Sequence, residues 1–203
     1  SGINYCLKKD GILIIQFMYA GAMIDNLNFD TIYHEHLCLY TIRSLSKLLK
    51  QYDLEIFDAY YSEIHSGSII AKVTNKNSKI NIKTDAYYKT IKEDEKYSPT
   101  LVKEFAREII KNKFNLKNFL SQIKLENPKT KIYCLGAPAK GNTLLNYLEI
   151  NKSLVDKVVE VNELKIGLYL PKTHIPIHPE LQTDIPDYYL LLSHNFHKEI
   201  LKK

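Results

Sequence analysis

The sequence contains no tryptophan, and cysteine is nearly as scarce, with only Cys6, Cys38 and Cys134 among 203 residues. An odd number of cysteines this far apart suits neither a disulfide framework nor a zinc site. A reducing, cytoplasmic setting is therefore expected. No apolar stretch approaches the ~20 residues that a membrane-spanning helix needs. The longest apolar run near the start, Ile12 to Ile24, contains Gln16 and Gly21 and has no clear cleavage site, so it does not read as a signal peptide. A strong excess of one charge is also missing. Twenty-eight Lys+Arg against 23 Asp+Glu give +5, spread along the chain without a basic run, which leaves nucleic-acid binding without support. There is no internal repeat and no low-complexity segment.

What is present is globular in character, with 45% hydrophobic and 25% charged residues. At roughly 150 residues per domain the length fits one large domain or two small ones. It suffices to bury a core without staples. The chain opens on Ser1-Gly2 and reaches a strongly apolar strand at Ile12, so it reads as cut from something longer.

Gly11 to Phe17 is a continuous β-branched apolar run, the pattern of a buried strand in a parallel or mixed sheet. Ser44 to Gln51 carries leucines at helical spacing. Leu54–Ile64 and Ser68–Thr74, separated by Ser66-Gly67, read as a hairpin. The polar stretch 75–83 suggests a boundary. The charged run Lys92 to Lys96 reads as a solvated helix face. Ser98-Pro99 starts a long helix that ends before Asn127-Pro128. Beyond it lie a strand (Lys131–Leu135), a glycine loop (Gly136–Gly141), a helix (Asn142–Leu148) and strands at Val155–Val161 and Tyr188–Leu192. A terminal helix follows from Asn195. That rhythm is the rhythm of a parallel doubly wound sheet.

Three constellations could carry chemistry. Tyr33-His34-Glu35-His36 packs two imidazoles, a carboxylate and a phenol into four residues. If the segment is extended, His34 and His36 share one face. A histidine is the side chain best suited to take a proton near neutral pH, and a nearby carboxylate can orient it. A hydrogen-bonded loop is the equally weighted reading. No third ligand follows at a useful spacing, and no metal is expected. The second constellation is Gly136-Ala-Pro-Ala-Lys140-Gly141-Asn142-Thr143, between a strand and a helix. Backbone amides there can hold an anion, with Lys140 adding charge. It matches neither a Walker loop nor G-x-G-x-x-G, and a plain turn capped by Asn142 is the blander alternative. Glu160, closing the next strand, stands where a ribose-binding acid would stand in a dinucleotide fold. The third is Gly167 to Ile177, whose two prolines would fix a loop exposing Tyr169, Thr173 and His174. His194-Asn195, at the end of the last strand, reads similarly, with Asn195 as a cap.

These segments in this order resemble one family: the C-terminal portion of the S-adenosylmethionine-dependent sugar C-methyltransferases acting on nucleotide-linked 4-keto-deoxysugars. Phe29-Asp-Thr-Ile-Tyr-His-Glu-His36, His65-Ser-Gly-Ser68, Gly136 to Asn146, Pro171 to Ile177 and Leu191 to Phe196 carry the resemblance across nearly the whole chain. It implies an α/β fold, the end of a class I methyltransferase sheet followed by a Rossmann-like parallel-sheet domain. The parts would be residues 1–76 (truncated methyltransferase domain), 77–127 (helical connection) and 128–203 (Rossmann-like domain). The zinc module and the glycine-rich turn for S-adenosylmethionine are missing. The cofactor would be held mainly by an absent N-terminal half, supplied in cis or in trans, and the chain alone is expected to be inactive. Ser66, Ile70, Lys172 and His194 depart from the usual glycine, arginine, glycine and tryptophan.

The resemblance implies a reaction. A carbon beside a ketone is deprotonated, and the enolate takes the sulfonium methyl. His36 would be the base, Glu35 would orient it and Tyr33 would hydrogen-bond the oxygen. His65, Lys140, Asn142, Tyr169 and Thr173 would contact the nucleotide sugar. The rival readings are a dinucleotide-binding oxidoreductase half and a non-catalytic nucleotide-sugar-binding fragment.

Overall fold

The computed structural model describes residues 2–182, 184–194 and 197–202. The chain divides into two compact units, one of residues 1–28 and 37–106, the other of residues 29–36 and 107–203.

The first unit is built on three antiparallel strands, β1 (Leu13–Met18), β2 (Leu54–Ser62) and β3 (Ser68–Asn75), in the order β1-β3-β2. The expected hairpin is present as β2–β3, with a bulge between Ile56 and Asp58. β1 differs from the expected buried strand. It is an edge strand whose residues alternate in burial, leaving Ile14 64% exposed. Its apolar run resembles that of a strand buried on both faces, yet only one face meets the core while the other stays open. Helices α1 (Gly2–Cys6), α2 (Ala20–Asp25), α3 (Ile42–Lys50) and α4 (Asp85–Asp94) complete the unit. α3 starts at Thr41, which closes a capping box with Ser44. Ile42, Leu45 and Leu49 then join Leu54, Ile56, Ile69, Ala71 and Val73 in the core. α4 is seated on β2 through Thr84, which donates to Asp58, and Thr90, which donates to the Ala59 carbonyl.

The run Lys92 to Lys96 is not wholly a solvated face. Asp94 is buried, 2% exposed, and accepts hydrogen bonds from the Tyr19 hydroxyl (2.6 Å) and the Arg43 amide (3.0 Å). Its carboxylate thus meets the N-terminal turn of α3, where negative charge is favoured.

α5 (Pro99–Glu126) runs through both units. It begins and ends where the Ser-Pro and Asn-Pro signals place its ends, and the Ser98 hydroxyl accepts from the Leu101 amide. The second unit has four parallel strands, β4 (Ile132–Leu135), β5 (Lys157–Glu160), β6 (Ile177–Pro179) and β7 (Tyr188–Leu191), in the order β6-β5-β4-β7. α6 (Ala139–Leu148) makes the crossover from β4 to β5, and α7 (His197–Ile200) follows β7. The core gathers Ile132, Cys134, Leu145, Leu148, Val158, Ile175 and Leu192, with Phe29 packed against it. Burial on both faces explains why Ile132, Tyr133 and Cys134 are all covered. Together the parallel and antiparallel sheets make a mixed α/β fold.

Two expectations shift here, and a third is not reached. α6 begins at Ala139 with Pro138 as its N-cap, so Asn142 lies inside the first helical turns and caps nothing. β6 lies in what reads as loop, because a three-residue strand carrying a proline leaves little periodicity. The helix start and the cap expected at Asn195, like Phe196 of the last motif, fall outside the described residues.

Candidate functional site

Residues 29–36 leave the first unit's chain path and pack in the second. A 3-10 turn (Phe29–Thr31) brings the Phe29 ring to 5.0 Å from that of Tyr147 on α6. A second turn follows, closed by the His36 amide donating to the Tyr33 carbonyl (2.9 Å). The extended form that would put His34 and His36 on one face is therefore not adopted. Instead the Tyr33 ring stands edge-on to both imidazoles, 5.6 Å from His34 and 5.0 Å from His36. The Glu35 carboxylate accepts from the Tyr33 hydroxyl (3.1 Å). Burial, then this bond, pushes the phenol pKa up, so Tyr33 keeps its proton at neutral pH. His34 and Glu35 are exposed and His36 half-buried.

The residue opening this segment, Asp30, is 3% exposed, and its Oδ2 has no hydrogen-bond partner. His194 Nδ1 lies 3.8 Å from that oxygen, and His194 Nε2 lies 3.4 Å from Lys140 Nζ. Burial raises the Asp30 pKa, and the charges of His194 and Lys140 offset part of that rise. Burial lowers the pKa of Lys140 and of His194, with Lys140 lowering His194 further.

The glycine loop is used internally. Gly136 has φ +82°, and a Cβ there would meet Ser193 Oγ at 2.3 Å. A Cβ on Gly141 would meet Leu192 Cβ at 2.8 Å, so this glycine serves close packing of α6 on the sheet. The Ala137 amide donates to Glu160 (2.8 Å), which also accepts from Val161 and Asn162. Burial works against that carboxylate, but these three amides outweigh it and hold its pKa below the usual range. Glu160 therefore pins the loop rather than waiting for a ribose. Lys165 Nζ closes the same loop on the Ala137 carbonyl (2.8 Å).

Further along α6, Asn146 Nδ2 donates to the carbonyl and side-chain oxygens of Asn142 and to the Pro171 carbonyl. Asn146 Oδ1 and Thr173 Oγ1 are buried without partners. Residues 167–177 fold back as a hairpin-like arm, with paired amides at Gly167, Leu170, His174 and Ile177. Tyr169 and His174 are exposed as expected, whereas the Thr173 hydroxyl is buried. Thr173 lines an open depression of ≈ 700 Å³ with Lys152, Ser153, Lys172 and His174.

The structure thus gathers Tyr33, Glu35 and His36 in one turn and sets Lys140 against His194. It pairs Asn142 with Asn146 and puts Thr173 in a separate depression. His65 belongs to the first unit, exposed at the β2–β3 connection in a left-handed conformation (φ 54°). Asp30 and Asn146 escape the sequence reading as site residues, although both lie inside the quoted motifs. Among the described residues no cluster of three or more His, Cys, Asp or Glu is arranged to hold a metal. No described helix is long and apolar enough to cross a membrane. The loop that a nucleotide cofactor would use has its first two amides taken, Gly136 by the Val159 carbonyl and Ala137 by Glu160, and its glycine space filled by side chains. It does not fit S-adenosylmethionine.

A parallel sheet in the order β6-β5-β4-β7 with a helical crossover after β4 makes the second unit a Rossmann-like α/β domain. The family model of the C-methyltransferase C-terminal domain matches residues 63–203, and the chain belongs to that family. It is 26% identical over 206 residues to the C-methyltransferase NovU of Streptomyces niveus, a match covering 99% of this chain and 48% of that protein. The chain spans about half the length of this curated relative.

Proposed function

We propose that the chain is the C-terminal part of a C-methyltransferase that methylates the carbon next to the ketone of a nucleotide-linked 4-keto-deoxysugar. The observation that carries this reading is the turn at 33–36, where a protonated phenol stands edge-on to the half-buried imidazole of His36, in a chain of the C-methyltransferase family.

In this reading the His36 imidazole takes the proton from the carbon beside the ketone. The C–H electron pair moves into the enolate, and the Tyr33 O–H donates to the enolate oxygen. Glu35 holds that phenol until substrate arrives. Positioned acid–base help is worth ~10²–10⁴-fold in rate, and a donor on the oxyanion about 10²–10³-fold. S-adenosylmethionine is the electrophilic methyl source. The glycine loop does not fit it, and its site is assigned mainly to the portion of such an enzyme outside this chain. The open edge of β1, with Ile12 and Ile14 exposed, supports pairing with strands of that portion. Asn142, Tyr169 and Thr173 of the second unit are assigned to the nucleotide sugar. So is Lys140, since an ammonium has three donors and His194 engages one. A cytoplasmic location goes with the three free cysteines.

The test is His36→Asn in the enzyme joined to its methyl-donor portion. Binding of the methyl donor should be retained and turnover should fall at least 100-fold, within the range expected for a general base. Turnover within a few-fold of the unsubstituted enzyme overturns the assignment. The oxidoreductase alternative loses its main support because Glu160 is already committed to three backbone amides.

A further inference from the structure

We propose that Asp30, His194 and Lys140 are a positioning set that seats residues 29–36, and with them the Tyr33–His36 turn, on the first turn of α6. The proposal rests on the reading above, in which that turn bears the base.

The chemistry of the three groups leaves one self-consistent arrangement. Lys140 is a donor only, so His194 Nε2, 3.4 Å away, must be the acceptor. The imidazole proton is then on Nδ1, which faces Asp30 Oδ2 at 3.8 Å. That last separation is too long for a hydrogen bond, so the link is electrostatic, with room to tighten by about 1 Å. An ionised Asp30, a neutral His194 and a charged Lys140 sum to zero. A protonated His194 would set an N–H against the Lys140 ammonium, and a lost Asp30 charge would leave Lys140 half-buried without its counter-charge. Among the described residues, His197 also acts on His194, more weakly than Lys140 or Asp30.

The anchor also has an apolar half. The Phe29 ring lies 5.0 Å from Tyr147 of α6, adjacent in sequence to Asp30. Asp30 is close enough to Tyr33 for its charge to raise the phenol pKa. The set therefore acts at the start of the segment whose end bears His36. It explains why a carboxylate is kept 3% exposed with an oxygen that no donor satisfies.

The experiment is imidazole ¹⁵N and ¹H NMR on the 203-residue chain and its variants. His194 is expected as the Nδ1–H tautomer. Asp30→Asn and His194→Ala should each remove at least half of the ring-current shift that Tyr33 imposes on His36, while the chain stays folded by amide dispersion. His194→Gln supplies both an acceptor for Lys140 and a donor for Asp30 and should restore most of the shift, which a packing role alone would not do. If Asp30→Asn does not fold, the His194→Ala and His194→Gln pair decides. An Nε2–H tautomer, an unchanged His36 shift in folded His194→Ala, or failure of the glutamine to restore it overturns the proposal. Because the readout is independent of turnover, its failure is distinguishable from failure of His36 as the base, which His36→Asn kinetics reports.

Discussion

In the first unit buried carboxylates are fully engaged. Asp94 accepts from Tyr19 and Arg43, and Asp58 accepts from Thr84 while pairing with Lys72 at 2.8 Å. In the second unit the balance is reversed. The buried side-chain atoms left without partners among the described residues, Asp30 Oδ2, Asn146 Oδ1 and Thr173 Oγ1, all lie there, on or beside α6 and the segments that meet it. Unsatisfied buried polar atoms are rare and costly, so their concentration in one unit is informative. The antiparallel unit spends its polar groups on holding itself together, whereas the parallel unit keeps some uncommitted near the turn and the arm that the family motifs mark.

The contrast can be broken or sharpened by substitution. Largest is Asp94→Ala, which strips the partner from a buried hydroxyl and a helix amide at once. A loss of about 3 kcal/mol is expected, from roughly 1–3 kcal/mol per group left unsatisfied. Urea denaturation of the whole chain measures it, and a loss under ~1 kcal/mol would mean that the first unit is not organised by this contact.

Asp58→Asn should cost about 1 kcal/mol at neutral pH. Burial opposes the charge of Asp58, but Lys72 and Thr84 outweigh it and lower its pKa from 3.8. Its contribution is therefore present above pH 3.8 and lost as pH falls below that value. Asp30 has the opposite sign. Burial raises its pKa, so its contribution is present below 3.8 and lost as pH rises through the folded-state value. Asp30→Asn should leave neutral-pH stability within about 1 kcal/mol of the unsubstituted chain, since relief of a buried charge is offset by loss of the counter-charge that faces Lys140 and His194. It should also flatten the decline above pH 3.8. Denaturation midpoints taken across acid pH separate the two residues; identical slopes for both variants would erase the contrast.

Smallest is Glu149→Gln. Glu149 bridges Lys113 and Lys117 at 2.8 Å each, and those two partners hold its pKa at about 2, yet its side chain is 62% exposed. Exposed pairs contribute little, so no resolvable shift in the midpoint is expected. A clear shift would mean that this exposed bridge between α5 and the end of α6 carries stability of its own.

Much of this was legible beforehand where one local rule decides. Ser98-Pro99 and Asn127-Pro128 bound α5 because proline constrains its neighbours whatever the tertiary context. Lys131–Leu135 reads as a strand, and its unbroken apolar run fits the burial on both faces that the structure shows. β1 shows the limit of that rule, since the same run occurs on an edge strand. What stays hidden depends on residues distant in sequence. Asp94 looks solvated until Tyr19 and Arg43 are seen to meet it across separations of 75 and 51 residues. Glu160 looks like a ribose ligand until the Ala137 amide is found on it. Asp30 shows its place only once His194 and Lys140 converge on it, and the turn at 33–36 only once the His36 amide closes it.

The claim at the centre is that His36 removes a proton from the carbon beside a ketone, and isotope exchange reads that step apart from methyl transfer. A nucleotide-linked 4-keto-deoxysugar incubated in D₂O with the enzyme joined to its methyl-donor portion, but with no methyl donor present, should take up deuterium at that carbon. The His36→Asn variant should slow the uptake at least 100-fold, as expected for loss of a general base. Equal exchange rates in the two proteins would contradict the account.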